Sequence, residues 1–114
     1  MREKGKIYFI SDVHLGYAEM YQNSDVDAIY VATPHNFHLQ NSLDAMNAGK
    51  AVLCEKPLTD NLEDTLALIE SSKKQSIYLM EGMWTYFLPT LRKTQDWIRE
   101  GRIGKVLNVK ANFG

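Results

Sequence analysis

The sequence contains a single cysteine, Cys54, among 114 residues. One cysteine excludes an internal disulfide and also a zinc site built from several cysteines. No apolar run approaches the roughly 20 residues that a membrane-crossing helix needs, and no signal-peptide pattern opens the chain. The net charge of −1 comes from interspersed acidic and basic residues, which leaves no basic surface for nucleic acid. We therefore expect a soluble, cytoplasmic protein that binds neither nucleic acid nor a membrane.

Four short apolar runs are typical of buried strands, because they are rich in β-branched and aromatic residues. They cover residues 6–11, 27–33, 51–57 and 76–81. Their nearly continuous apolar character favours a parallel sheet with helices on both faces. We expect Cys54 and Tyr30 to pack inside this sheet without a chemical role.

Helical patterns separate these strands. One helix is predicted from about Asn36 to Ala48, with Gly49 as its C-terminal stop. A second begins after Asp60 or Asn61, with a buried stripe expected at Leu62, Leu66 and Ile69. A third is predicted from Pro89 to Gly101. The alternation of strands and helices predicts an α/β fold with right-handed crossovers.

The last residues follow a different pattern. From Leu107 to Phe113 every second residue is apolar, which is typical of a strand with one solvated face. We predict that residues 104–114 are the first strand of a second, antiparallel sheet. Residues 1–103 would then form a first domain and 104–114 the start of a truncated second one. The bare edge of such a strand would allow a homo-oligomer.

Polar residues stand where three of the strands end. These segments are Thr33-Pro34-His35, Glu55-Lys56-Pro57 and Glu81-Gly82-Met83-Trp84. Parallel strands lie about 4.8 Å apart, so their carboxyl ends can line one crevice. A lysine there can donate to a ligand hydroxyl, carbonyl or phosphate. The alternative is that Lys56 is a solvated charge that pairs with Glu55 or Glu81.

Three of these segments together resemble one enzyme family. Ala32-Thr33-Pro34 followed by His38, Cys54-Glu55-Lys56-Pro57, and Leu79-Met80-Glu81-Gly82-Met83-Trp84 are similar to the glucose-fructose oxidoreductase, inositol dehydrogenase and rhizopine-catabolism (Gfo/Idh/MocA) family. The last motif is most similar to the dihydrodiol and D-xylose dehydrogenase branch. The resemblance runs from about His14 to Gly114. It implies a partial Rossmann-type fold, NAD or NADP as cofactor, and a sugar or related alcohol as the small-molecule substrate.

The resemblance also implies roles for individual residues. The cofactor would contact residues at two strand ends: Thr33, Pro34, His35, His38, Glu55, Lys56 and Pro57. Lys56 would also be catalytic, through a hydrogen bond to the substrate oxygen where hydride leaves or arrives. Trp84 and Tyr86 would line the substrate pocket. The branch usually carries arginine at the position of Tyr86, so the resemblance leaves a preference for anionic or polyol substrates open.

Two family features are missing from the sequence. The family opens with a Gly-x-Gly-x-x-Gly turn that binds the diphosphate, and no such motif occurs here. Its catalytic acid or base lies in the second domain, beyond Gly114. We therefore interpret the chain as incomplete and expect little activity from it alone. The alternative from another class is a non-catalytic half-domain that needs a partner chain.

The N-terminal stretch has a rival resemblance. Lys6 to Gly16 is weakly similar to the start of calcineurin-like metallophosphoesterases, in which Asp12 and His14 would be metal ligands. That fold also needs Gly-Asp, Gly-Asn-His and Gly-His-x-His segments, and none occurs here. Since two ligands do not make a two-metal centre, we expect no metal site.

Overall fold

Four parallel strands stand side by side in the same order as in the chain. We describe residues 5–11 and 17–112 from a computed structural model of the protein. The strands are β1 (Lys6–Ile10), β2 (Val26–Val31), β3 (Ala51–Glu55) and β4 (Leu79–Gly82). All three pairings are parallel. The predicted α/β fold with a parallel sheet is therefore confirmed.

Helices occupy the segments between the strands. They are α1 (Tyr17–Gln22), α2 (His38–Asn47) and α3 (Leu62–Gln75), with a short 3₁₀ helix (His35–Phe37) before α2. Helix α2 ends as predicted, because Gly49 takes the left-handed conformation at φ 77°. Helix α3 begins at the predicted cap, where the Asn61 side chain accepts a hydrogen bond from the backbone N–H of Asp64.

The chain divides into two compact units, Met1–Gly82 and Met83–Gly114. The first unit holds the sheet and helices α1 to α3. The second contains a 3₁₀ helix (Trp84–Phe87) and α4 (Pro89–Arg99). Within the second unit, the guanidinium of Arg92 lies over the ring of Phe87, 5.6 Å from its centre.

One face of the sheet carries the core of the first unit. Strand residues with inward side chains are fully buried, namely Ile10, Ile29, Val31, Val52 and Cys54, and they pack with buried residues of α1, α2 and α3. On the opposite face Phe9 is 70% exposed and Leu53 36% exposed. The helices of this unit therefore pack against one face of the sheet. The physical reason is topological, because right-handed crossovers between consecutive neighbours all fall on the same side.

The buried stripe of α3 also differs from the prediction. Leu68 is fully buried, whereas Leu62 and Leu66 are 71% and 55% exposed. The inward face includes two residues with hydroxyl groups that find partners. Thr65 Oγ1 and Thr59 Oγ1 share a hydrogen bond of 2.6 Å, and Ser72 Oγ donates to the carbonyl oxygen of Ile77 at 2.7 Å. Both hydroxyls are half-buried and hydrogen-bonded, so their partial burial leaves no unsatisfied polar group.

The predicted strand near the end of the chain does not form in the described part of residues 104–114. Residues 104–112 make no strand pairing, and Leu107 and Val109 are 85% and 81% exposed. A strand needs a neighbour that accepts its backbone hydrogen bonds, and the described residues provide none for this segment. The alternation of apolar residues is present, but the partner that would turn it into a sheet is not.

Candidate functional site

The carboxyl ends of β2, β3 and β4 meet at one edge of the sheet. Val31 pairs with Cys54, and Cys54 pairs in turn with Glu81. The residues that follow each strand therefore leave the sheet side by side. This confirms that the strand ends carrying Thr33, Lys56 and Glu81 converge, as the sequence predicted.

The turn after β3 is held by hydrogen bonds to side chains of β3 and β4. Its Leu58 backbone N–H donates to Glu81 Oε1 on β4 at 2.9 Å, and its Lys56 N–H donates to Glu55 Oε2 at 3.1 Å. The thiol of Cys54 lies 3.8 Å from the Leu58 carbonyl oxygen. The Lys56–Pro57 peptide bond is cis. The backbone that carries Lys56 is thus held by β3 and by its neighbour β4.

Glu55 is oriented by a tyrosine of the adjacent strand. The hydroxyl of Tyr30 donates a hydrogen bond to Glu55 Oε1. This bond is the main cause that lowers the pKa of Glu55, and it raises the pKa of Tyr30 to about 12. The carboxylate is therefore ionised at neutral pH and points in one direction. Each of its oxygens keeps a second lone pair for a ligand.

The ammonium group of Lys56 is exposed. Among the described residues it forms no hydrogen bond or salt bridge, although its charge helps to lower the pKa of Glu55. The Glu81 carboxylate accepts from Leu58. The structure thus presents an exposed ammonium on a turn whose backbone is fixed.

The end of β2 contributes a mixture of buried and exposed groups. Thr33 is buried, and its hydroxyl oxygen accepts a hydrogen bond from Asn41 Nδ2 at 3.1 Å. Pro34 and His35 are exposed. His38, the first residue of α2, is fully buried, and its ring lies 5.4 Å from that of His35 between centres.

Other predicted residues belong to the second unit or fall outside the described residues. Trp84 and Tyr86 belong to the 3₁₀ helix of the second unit, where each is 56% exposed and Tyr86 packs edge to face on Phe87. Asp12 and His14, the metal ligands of the rival interpretation, lie outside the described residues. Within residues 5–11 and 17–112, no group of three His, Cys, Asp or Glu could hold a metal ion.

Sequence reasoning missed one member of the strand-end cluster and the contact made by another. Tyr30 was expected only to pack, yet it orients Glu55, and Glu81 fixes the lysine turn through Leu58. The role of Tyr30 could have been inferred from the alternation of side chains along a strand, in which every second residue lies on the same face of the sheet. Tyr30 pairs with Leu53, and Glu55 follows Leu53 by two residues on the same face, within reach of a long side chain.

A family model described as an oxidoreductase family with an NAD-binding Rossmann fold matches residues 2–83. The chain belongs to this family. The matched range includes all three strand ends of the site and also the N-terminal stretch that resembles a metallophosphoesterase. Membership agrees with the resemblance that the strand-end motifs indicate.

Known relatives are dehydrogenases. The chain is 38% identical over 105 residues to D-xylose 1-dehydrogenase (NADP(+)) of Hypocrea jecorina, covering 92% of the chain and 27% of the relative. It is 38% identical over 98 residues to trans-1,2-dihydrobenzene-1,2-diol dehydrogenase of Danio rerio, covering 86% and 29%. The structure of scyllo-inositol dehydrogenase from Lactobacillus casei with bound NAD(H) and scyllo-inositol superposes with a TM-score of 0.73 at 28% identity, covering 80% and 27%. The chain thus spans less than a third of each of these three proteins.

No helix in the described part of the chain combines the length and the apolar character that a bilayer crossing requires.

Proposed function

We propose that this chain contributes the nicotinamide end of the cofactor site in an NAD(P)-dependent dehydrogenase of sugars or related diols. The observation that carries the proposal is the exposed Lys56, whose ammonium forms no hydrogen bond or salt bridge among the described residues, at the joint edge of three parallel strands. Open α/β sheets bind ligands at this edge. The dehydrogenase relatives support the substrate class, and one of them is named for NADP(+) while another has NAD(H) bound.

The residues present fit one end of a dinucleotide. Glu55 is ionised and retains acceptor lone pairs, which suits the hydroxyl groups of a ribose. Thr33, Pro34, His35 and Pro57 would border the cofactor at the same edge. The glycine-rich turn that grips a diphosphate is absent from the sequence. The cofactor, when bound, would supply or accept the hydride.

Lys56 would act on the substrate oxygen. An ammonium carries three donors and a full positive charge, and it stabilises the negative charge that grows on a carbonyl oxygen during reduction. A group that acts this way needs a fixed backbone, because small misplacements are costly to catalysis. The contacts of Leu58 with Glu81 and of Lys56 N–H with Glu55 meet this need. Trp84 and Tyr86 would line the substrate pocket.

Fluorescence titration of NADPH and of NADH tests the cofactor site. We expect one of them to bind, and Lys56→Ala to weaken its affinity by about 10-fold through loss of a charge-assisted contact. Lys74→Ala is the matched control, since Lys74 is an exposed lysine of α3. Absence of binding by the unsubstituted chain up to about 1 mM cofactor would refute the proposal.

A second candidate function is that of a non-catalytic half-domain that pairs with another chain. The observation that favours it is the exposure of Leu107 and Val109, at 85% and 81%. Alternating apolar side chains would be covered if this segment joined a sheet with a second copy. We expect sedimentation equilibrium to show a dimer at micromolar concentration, and Leu107→Lys to dissociate it. A monomer throughout that range would rule this candidate out.

We also propose a cytoplasmic location. The supporting observation is the free thiol of Cys54, buried in the sheet, because a lone buried thiol is compatible with a reducing compartment. Fractionation of cells that express the tagged chain would test this, and recovery from a secreted or membrane fraction would contradict it.

A further inference from the structure

Both ring nitrogens of the buried His38 lie against backbone carbonyl oxygens. Nε2 is 2.8 Å from the carbonyl oxygen of Thr33, which follows β2. Nδ1 is 2.8 Å from the carbonyl oxygen of Pro57, in the turn that follows β3. The side chain is fully buried, so water does not compete for either nitrogen.

The two contacts fix the number of protons on the ring. A carbonyl oxygen only accepts hydrogen bonds, whereas a neutral imidazole has one donor and one acceptor nitrogen. With one proton, a ring lone pair would face a carbonyl lone pair at 2.8 Å. With two protons, both contacts are hydrogen bonds to a charged donor, which are about twice as strong as neutral ones.

We infer that His38 is held as an imidazolium that ties the turn after β2 to the turn after β3 and thereby positions Lys56. The role of Lys56 in this inference rests on the proposed function. Since both nitrogens are occupied by backbone, His38 acts as a positioning residue and does not contact the cofactor. The resemblance alone would have assigned it a direct contact.

The charges around His38 are compatible with a buried cation. Glu55 is ionised nearby, and the positive charge of His38 is the smallest of the causes that lower the pKa of this carboxyl, after Tyr30 and Lys56. Glu81 adds a second carboxylate, bonded to the same turn through Leu58. Lys56 is the cationic group on the same turn, and the ring of His35 packs edge-on against that of His38; both residues are exposed to solvent. Buried charge is tolerated where hydrogen bonds and opposite charge replace water.

The two contacts of His38 also connect α2 to the turn that carries Lys56. Among the described contacts of Lys56–Thr59, the bond from His38 to Pro57 is the one that comes from α2, while Glu81 acts from β4. Loss of the imidazole would leave the carbonyl oxygens of Thr33 and Pro57 without this donor. The turn would then be held from β3 and β4 alone.

NMR of the full chain labelled with ¹⁵N at histidine tests the proton count at neutral pH. The sequence has three histidines, so His14→Gln and His35→Gln assign the His38 signals by elimination even if His38 variants do not fold. We expect two ¹⁵N-bound ring protons on His38, both slow to exchange with water. A single ring proton, with the other nitrogen unprotonated, would overturn the imidazolium.

Hydrogen exchange tests the positioning role without any cofactor. We expect His38→Gln to speed hydrogen exchange of the Leu58 amide, which lies in the turn after β3 that carries Lys56, by about 10-fold or more. Val26→Ala is the control for lost stability, because Val26 is buried at the opposite end of β2. Equal effects of both variants, after correction for global stability, would reduce His38 to a general structural residue. These readouts stand even if NAD(P) binding, and with it the proposed function, fails.

Discussion

The hydroxyl of Tyr30 on β2 donates a hydrogen bond to the carboxylate of Glu55 at the end of β3. The bond joins neighbouring parallel strands on the sheet face that the helices leave uncovered. It lowers the pKa of Glu55 and raises that of Tyr30 to about 12. A tyrosine that appeared to be a packing residue thus sets the charge and direction of a carboxylate at the candidate site.

Tyr30→Phe should cost about 1 kcal/mol of unfolding free energy at neutral pH, the usual value of one hydrogen bond near the surface. Because the folded pKa of Glu55 is lowered, its contribution is present above the ordinary carboxyl pKa and is lost as pH falls through the folded value. The difference between the two proteins should therefore vanish in acid. Urea unfolding at neutral and acidic pH measures it. Tyr8→Phe, on the neighbouring β1, serves as the control, and an equal loss at both pH values would contradict the prediction.

Tyr21→Phe should leave stability unchanged or raise it by up to about 1 kcal/mol. Among the described residues the buried Tyr21 hydroxyl has no hydrogen-bond partner, and burial is the main cause that raises its pKa to about 12. Removal of an unsatisfied polar atom removes its desolvation cost. Thermal and urea unfolding would show the effect, with Tyr17→Phe on the same helix for comparison. A loss above about 1 kcal/mol would mean that the hydroxyl has a partner after all.

Leu68→Ala should destabilise the protein by about 2–5 kcal/mol, as for other fully buried leucines. Leu66→Ala removes the same atoms from the same helix at a 55% exposed position, and it should change stability by no more than about 0.5 kcal/mol. Urea unfolding of the two variants makes the comparison directly. Similar losses for both would show that α3 is rotated toward the stripe that the sequence pattern favoured.

Cys54 should resist thiol reagents in the folded protein. It is fully buried, and burial is the main cause that raises its pKa to about 11, so the reactive thiolate is scarce. We expect labelling by an aromatic disulfide to be at least about 100-fold slower than in denaturant, because it requires the sheet to open. Labelling at the same rate in both conditions would disprove this burial. The single thiol makes each measurement free of interference from other sites.

Local patterns in the sequence predicted most of the fold. Each apolar run became a strand, and Pro57 follows the end of β3 as a residue without a backbone donor should. Asn61 begins α3 through its side-chain cap, and Gly49 follows the end of α2 with a left-handed backbone. Both effects depend only on residues nearby in the sequence. The strand-end motifs also indicated the family to which the chain belongs.

Rotation of an element about its own axis was harder to predict. The apolar spacing of Leu62, Leu66 and Ile69 is a sound helical stripe, but α3 buries Leu68. Its orientation depends on where the hydroxyls of Thr65 and Ser72 find acceptors, which no local pattern specifies. The segment with Leu107 and Val109 has no strand pairing among the described residues, and a strand forms only beside a neighbour.

By itself, the sequence determined the order and type of the strands and helices in the first unit, that the sheet is parallel, and that Thr33, Glu55 and Lys56 lie at its carboxyl edge. These follow from short-range sterics, capping and the right hand of the crossovers. The tertiary structure alone decided that Tyr30 orients Glu55, that Glu81 secures the Lys56 turn, and that His38 meets two carbonyl oxygens. The reason is that such hydrogen bonds join residues from different strands and helices, whose distance in space is set by packing and not by their spacing along the chain.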